Sequence, residues 1–115
     1  MTLLLLLGST GLIFILAGFI LYKYPPKEIN SLYGYRTANS MSNRQRWDFS
    51  QTYSGKLMMK YGAIMMILAV VGFFIPLPEF VQLSLGIIIL ILVCVFLFLK
   101  TEKELNERFG KSQKS

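Results

Sequence analysis

The chain has 115 residues, 54% of them hydrophobic, with twelve Lys and Arg against six Asp and Glu and a formal net charge of +6. It contains no histidine and one cysteine, Cys94. An internal disulfide, a CxxC metal pair and histidine-based acid–base chemistry are therefore excluded within it, and no cofactor is implied.

Thr2–Leu21 is an uncharged apolar run, long enough to cross ~30 Å of hydrocarbon at ~1.5 Å per helical residue. It has no basic start and exceeds the ~7–15 apolar residues of a secretory signal, so it reads as a retained helix. Pro25-Pro26 should end it, with Tyr22 and Tyr24 at headgroup level. Gly11 and Gly18 share one face, with Gly8 nearby, and make a candidate packing seam.

A second helix is expected from about residue 42 to 75, with Ser40 as its N-cap and Asn43 reaching back from its first turn. A break near Gly55 is the competing picture. Gly55, Gly62 and Ala69 repeat every seven residues as a second seam. The third apolar run is Phe80–Leu99, bulkier and more lipid-facing, followed by an amphipathic Thr101–Phe109 with a Glu104–Arg108 pair. Gly110 is a natural stop.

The expected fold is thus an all-α integral membrane domain over residues 1–115. Its spans are expected at about 2–22, 57–77 and 80–99, with a motif segment at 25–56 and a tail at 100–115. Seven of the basic residues lie between Lys23 and Lys60 and five from Lys100 onward, with none before the first span or in the Pro76–Pro78 turn. The positive-inside rule then sets the N-terminus outside and the C-terminus inside, with a polar cytoplasmic cap between the first two helices. This location accounts for the charge without nucleic acid. The expected partners are membrane lipids, and a homo-oligomer could seal along the two glycine seams.

The segment between the first two spans carries the chemistry. Tyr33 and Tyr35 flank Gly34, whose tolerance of positive φ allows a turn presenting both rings beside Arg36. Arg36 offers a planar fork for phosphate or carboxylate. Each feature has a plainer alternative. The two tyrosines and Trp47 also suit interfacial anchors, and Arg36, Arg44 and Arg46 also satisfy the charge bias. Asp48 pairs readily with Arg44, and Asn30, Asn39 and Asn43 are turn and cap formers. Glu28 and Asp48, the only carboxylates near the motif, stand 20 residues apart with no reason to cooperate, so an enzyme is not expected.

The order Pro25-Pro26-Lys27-Glu28-Ile29-Asn30, Tyr33-Gly34-Tyr35-Arg36-Thr37, Ser40-Met41-x-Asn43, Trp47, Gly55-Lys56 closely resembles the signature of the SdpI family. These are bacterial membrane proteins typified by immunity to a secreted peptide toxin, and the resemblance spans about residues 25–60. It implies a multi-span protein of the bacterial cytoplasmic membrane with a role in toxin resistance. The type member resembles a longer protein that also sequesters a cytosolic repressor. Tyr33, Tyr35, Arg36, Asn43 and Trp47 are the expected ligand- or partner-binding residues, shaped by Asn30, Gly34, Thr37 and Ser40, and a peptide toxin is the expected ligand. Lipid-headgroup or small-solute handling is the alternative, and signalling to a cytosolic regulator is a further one. The first and third spans lack an acidic residue for proton coupling.

Overall fold

The computed structural model describes residues 1–27 and 34–110. Three helices follow in order: α1 (Thr2–Lys23), α2 (Arg44–Phe73) and α3 (Glu79–Phe109). All three are long and apolar enough to cross a membrane. Helix α1 ends just before Pro25-Pro26, where neither proline can donate the next ladder bond. Helix α2 runs unbroken through Gly55 for 30 residues, about 45 Å at the helical rise.

The start of α2 differs from the sequence expectation. Its N-cap is Asn43, whose side chain accepts the Arg46 backbone N–H at 2.8 Å, and not Ser40. The Ser40 hydroxyl is spent on the preceding turn, accepting the Thr37 N–H at 2.9 Å. In return the Ser40 N–H donates to Thr37 Oγ1 at 3.0 Å. The two hydroxyls close a reciprocal turn of their own, so the helix starts only when the next capping residue is reached.

Helices α1 and α2 pack as an antiparallel pair with Gly18 opposite Gly55 and Gly11 opposite Gly62. A Cβ added at Gly18 would lie 2.5 Å from the Gly55 carbonyl oxygen, and one at Gly62 would lie 2.6 Å from that of Gly11. The backbones touch where side chains would ordinarily separate them, so dispersion contacts and well-matched surfaces hold the pair in lipid. The two glycine seams therefore meet each other within one chain.

Helix α3 leans on this pair at its two ends. At its start, Gly86 receives Leu3 and Leu6 of α1. The buried Gln82 accepts the Leu3 N–H at 3.2 Å and donates to the Leu77 carbonyl at 2.9 Å. Leu3, Leu7, Met65 and Ala69 form the buried core, with Ile89, Leu90 and Val93 packed against it. Near its other end Thr101 and Leu105 are fully buried. Between these ends α3 exposes most of its bulky side chains, as befits a lipid-facing helix.

Enlarging Gly18 or Gly62 to leucine should destabilise the fold by roughly 1–3 kcal/mol or more, because the obstructing atoms are backbone and cannot rotate away. Gly8→Ala should be neutral or mildly stabilising, since nothing lies within 4 Å of the added carbon. Reversible unfolding in mixed micelles measures both. Equal behaviour of the Gly8 and Gly62 variants would contradict this packing.

Candidate functional site

Residues 34–43, which lead into α2, fold into a small polar cap over the adjacent ends of α2 and α3. Its backbone is fixed by one buried amide. Gln51, one helical turn beyond Trp47, accepts the Tyr35 N–H on Oε1 at 2.6 Å and donates from Nε2 to the Tyr35 carbonyl at 2.9 Å. A glutamine thus reads both polar groups of one residue, much as a neighbouring strand would. Ser50 and Ser54 fold their hydroxyls back onto carbonyls of α2, leaving that face narrow enough for the loop to approach. Gly34 adopts φ 108°, and a Cβ there would lie 2.5 Å from Gln51 Oε1 and 3.0 Å from Pro26 Cγ. Both conformation and space demand glycine.

The cap is tied to α3 through Glu102. One carboxylate oxygen accepts the Tyr35 hydroxyl at 2.7 Å and the Thr37 hydroxyl at 2.9 Å. Burial raises the Tyr35 phenol above its ordinary pKa, and the hydrogen bond and negative charge of Glu102 raise it further, against a lowering contact from Thr37. The phenol therefore stays protonated and keeps donating.

A second tie runs through Arg46, which is buried. Its guanidinium donates to Asn39 Oδ1 at 2.5 Å and to the carbonyls of Phe109 and Gly110, each at 2.7 Å. It thereby caps the C-terminus of α3, where a cation also meets the negative end of the helix dipole. Asn39 donates to Asn106 at 3.1 Å. Arg108 stacks over the Phe49 ring at 4.6 Å, and Phe49 meets Phe109 edge-on. The expected Glu104–Arg108 pair is absent among the described residues, because Arg108 turns toward the aromatic ring of α2. The Arg44–Asp48 pair does form, at 3.3 Å between exposed side chains.

Between α1, α2, α3 and the cap lies a cleft of about 530 Å³. It is lined by Gly34, Tyr35, Arg36 and Thr37 of the cap and by Ala17, Ile20, Met58 and Leu97 of the helices. Four of the residues singled out from sequence are thus brought together. Two others play supporting parts. Asn43 caps α2, and Trp47 is fully buried with its indole N–H on the Pro26 carbonyl at 2.9 Å. Trp47 therefore pins the end of the α1 connection and does not sit as an exposed interfacial anchor. Ser40 holds the turn behind Tyr35. Tyr33 and Asn30 lie outside the described residues.

Sequence reasoning missed Gln51, Glu102, Asn106 and the true place of Arg46. Gln51 shares a helical face with Trp47, Ser54 and Gly55, and a glutamine within a face of small and buried residues is a usable signal. For Arg46 the charge bias offered a sufficient reason, and nothing local distinguishes it from Arg44.

A model of the SdpI/YfhL protein family matches residues 27–99. The chain belongs to this family. The match runs past the motif through α2 and most of α3, beyond the 25–60 segment that carried the resemblance. The chain is also 40% identical over 95 residues to the uncharacterized protein YfhL of Bacillus subtilis (strain 168), an overlap covering 83% of this chain and 81% of that protein. No solved structure matches. Membership of this family, together with three helices long and apolar enough to cross a membrane, supports a multi-pass membrane protein.

Removing the Arg46 guanidinium by Arg46→Ala leaves the Asn39 amide and two helix-end carbonyls without their donor. Charged hydrogen bonds of this kind imply a loss of roughly 1.5–3 kcal/mol. Arg44→Ala breaks an exposed pair and should cost less than about 1 kcal/mol. Chemical unfolding of both variants in detergent tests the difference, and indistinguishable midpoints would rule out the clamp.

Proposed function

We propose that the protein confers resistance to a membrane-active peptide toxin, acting in the bacterial cytoplasmic membrane with its N-terminus outside and its polar cap in the cytoplasm. Family membership supports the immunity role. The distribution of Lys and Arg on the two sides of the spans supports the orientation. The observation that carries the site assignment is the cleft lined by Tyr35, Arg36 and Thr37 on a loop held to α2 by Gln51 and to α3 by Glu102.

In this reading Arg36 and Tyr35 face the ligand or the envelope component that the toxin exploits. Tyr33 completes the aromatic pair of the motif. Asn43 acts by capping α2 and Trp47 by holding the Pro26 carbonyl, which makes them positioning residues. Arg36 supplies the charge and the planar hydrogen-bonding fork. Binding there would compete with whatever the toxin needs at the inner face of the membrane.

A sensitive bacterium expressing the protein should survive peptide toxins that kill the empty-vector strain. Arg36→Ala at matched membrane abundance should lose at least about tenfold in protective concentration, the equivalent of one lost charged contact. Full protection by Arg36→Ala would remove the motif from the mechanism. Absence of protection by the wild type across a broad toxin panel would remove the immunity role and leave the fold standing.

A further inference from the structure

We infer that a second cleft, between α2 and α3, holds the headgroup of a membrane phospholipid that carries a primary amine, with its phosphate against Lys100 and Lys103 and its ammonium at Glu104. The cleft measures about 400 Å³. Tyr61 forms its α2 side, and Phe96, Leu99, Lys100, Lys103 and Glu104 form its α3 side. The segment between α1 and α2 supplies none of this lining, so the cleft is separate from the one lined by Arg36.

The chemistry of the lining changes along α3. Phe96 and Leu99 are each 55% exposed and lie at the end of the uncharged run Phe80–Leu99. Lys100 is the first charge after that run, and Glu104 follows it by four residues, ~6 Å further along the helix. On α2 the exposed Lys60 stands beside Tyr61, where the apolar part of that helix begins. Lysine and tyrosine at the edge of a span mark headgroup level. From hydrocarbon outward the cleft presents apolar, then cationic, then anionic groups. A glycerophospholipid with an amine head presents acyl carbons, phosphate and ammonium in the same order.

Lys100 and Lys103 are exposed and Glu104 is half-buried. None of the three forms an ion pair among the described residues, where the pairs are Met1–Glu79 and Arg44–Asp48. Lys100 precedes Glu104 by four residues, the weaker order for a helical pair. Arg108, one turn beyond Glu104, lies over the Phe49 ring instead. The cleft thus keeps both signs of charge side by side, and a zwitterion answers both. An anionic head without an amine would set its phosphate against an unanswered carboxylate. A cytosolic protein would have to reach Phe96 and Leu99 below headgroup level. A helix is ~10–12 Å across and advances ~5.4 Å per turn, so 400 Å³ admits no more than about one turn of it.

This inference rests on the chain spanning a membrane and not on the immunity role. Its readout is bound lipid, so it and the survival assay can fail independently. The test is native mass spectrometry of the full chain released from nanodiscs of equal phosphatidylethanolamine and phosphatidylglycerol. The wild type should retain phosphatidylethanolamine in preference to phosphatidylglycerol. Glu104→Gln should lower that preference about tenfold, the equivalent of one lost charged contact. Lys100→Gln combined with Lys103→Gln should lower retention of both lipids, whereas Arg44→Gln, which removes a cation elsewhere, should leave it unchanged. Helical circular dichroism checks that each variant is folded. Three outcomes overturn the inference. They are a wild type without preference for phosphatidylethanolamine, an unchanged preference in folded Glu104→Gln, and displacement of the lipid by soluble phosphoethanolamine, which would indicate a site for a free solute.

Discussion

One side-chain amide organises the polar half of this molecule. Gln51 is buried on α2 and bonds to both the N–H and the carbonyl of Tyr35. In a low-dielectric setting an unpaired amide costs on the order of 1–3 kcal/mol. The loop and the helix each satisfy what the other would leave exposed. Once Tyr35 is fixed, its hydroxyl reaches Glu102, its carbonyl meets the Ser40 hydroxyl, and the Thr37–Ser40 turn closes. Arg36 is placed between two anchored neighbours.

The apolar half follows a different rule. Lipid offers no hydrophobic drive between helices, so α1 and α2 gain contact by coming close. Gly11, Gly18, Gly55 and Gly62 permit that approach. It also sets the height of Pro26, whose carbonyl meets the Trp47 indole. Seam and cap are therefore coupled: the backbone contact sets where the connecting segment leaves α1, and Gln51 sets where it crosses α2. The cleft lined by Arg36 is the space left because α3 answers to the cap at one end and to Leu3 and Leu6 at the other.

The three helices were legible because membrane hydropathy is a long-range and redundant signal, and Pro25-Pro26 stops α1 as a local rule predicts. The seams were legible as spacing, but their partners were not. A repeat of small residues says that something approaches closely without saying what. The start of α2 was misplaced because Ser40 and Asn43 are both competent caps, and only the competing turn at Thr37 selects between them. The motif Gly34-Tyr35-Arg36-Thr37 stood out in the sequence and lines the cleft. Glu102 and Asn106 come from a helix more than 60 residues away in the chain, and no local pattern connects them to the loop. Arg46 was hidden by a rule that explained it too easily, since any arginine beside a membrane span satisfies the charge bias.

The functional account depends on the cap being a built structure and not a solvated linker. Residue-resolved hydrogen exchange in nanodiscs tests this most directly, comparing wild type with Gln51→Leu. The account predicts slow exchange at the Tyr35 and Thr37 amides of the wild type, which are bonded to Gln51 and Ser40. It also predicts a large acceleration at both in the variant, with the amides of α1 unchanged. Fast exchange at Tyr35 and Thr37 in the wild type, matching an unstructured loop, would contradict it.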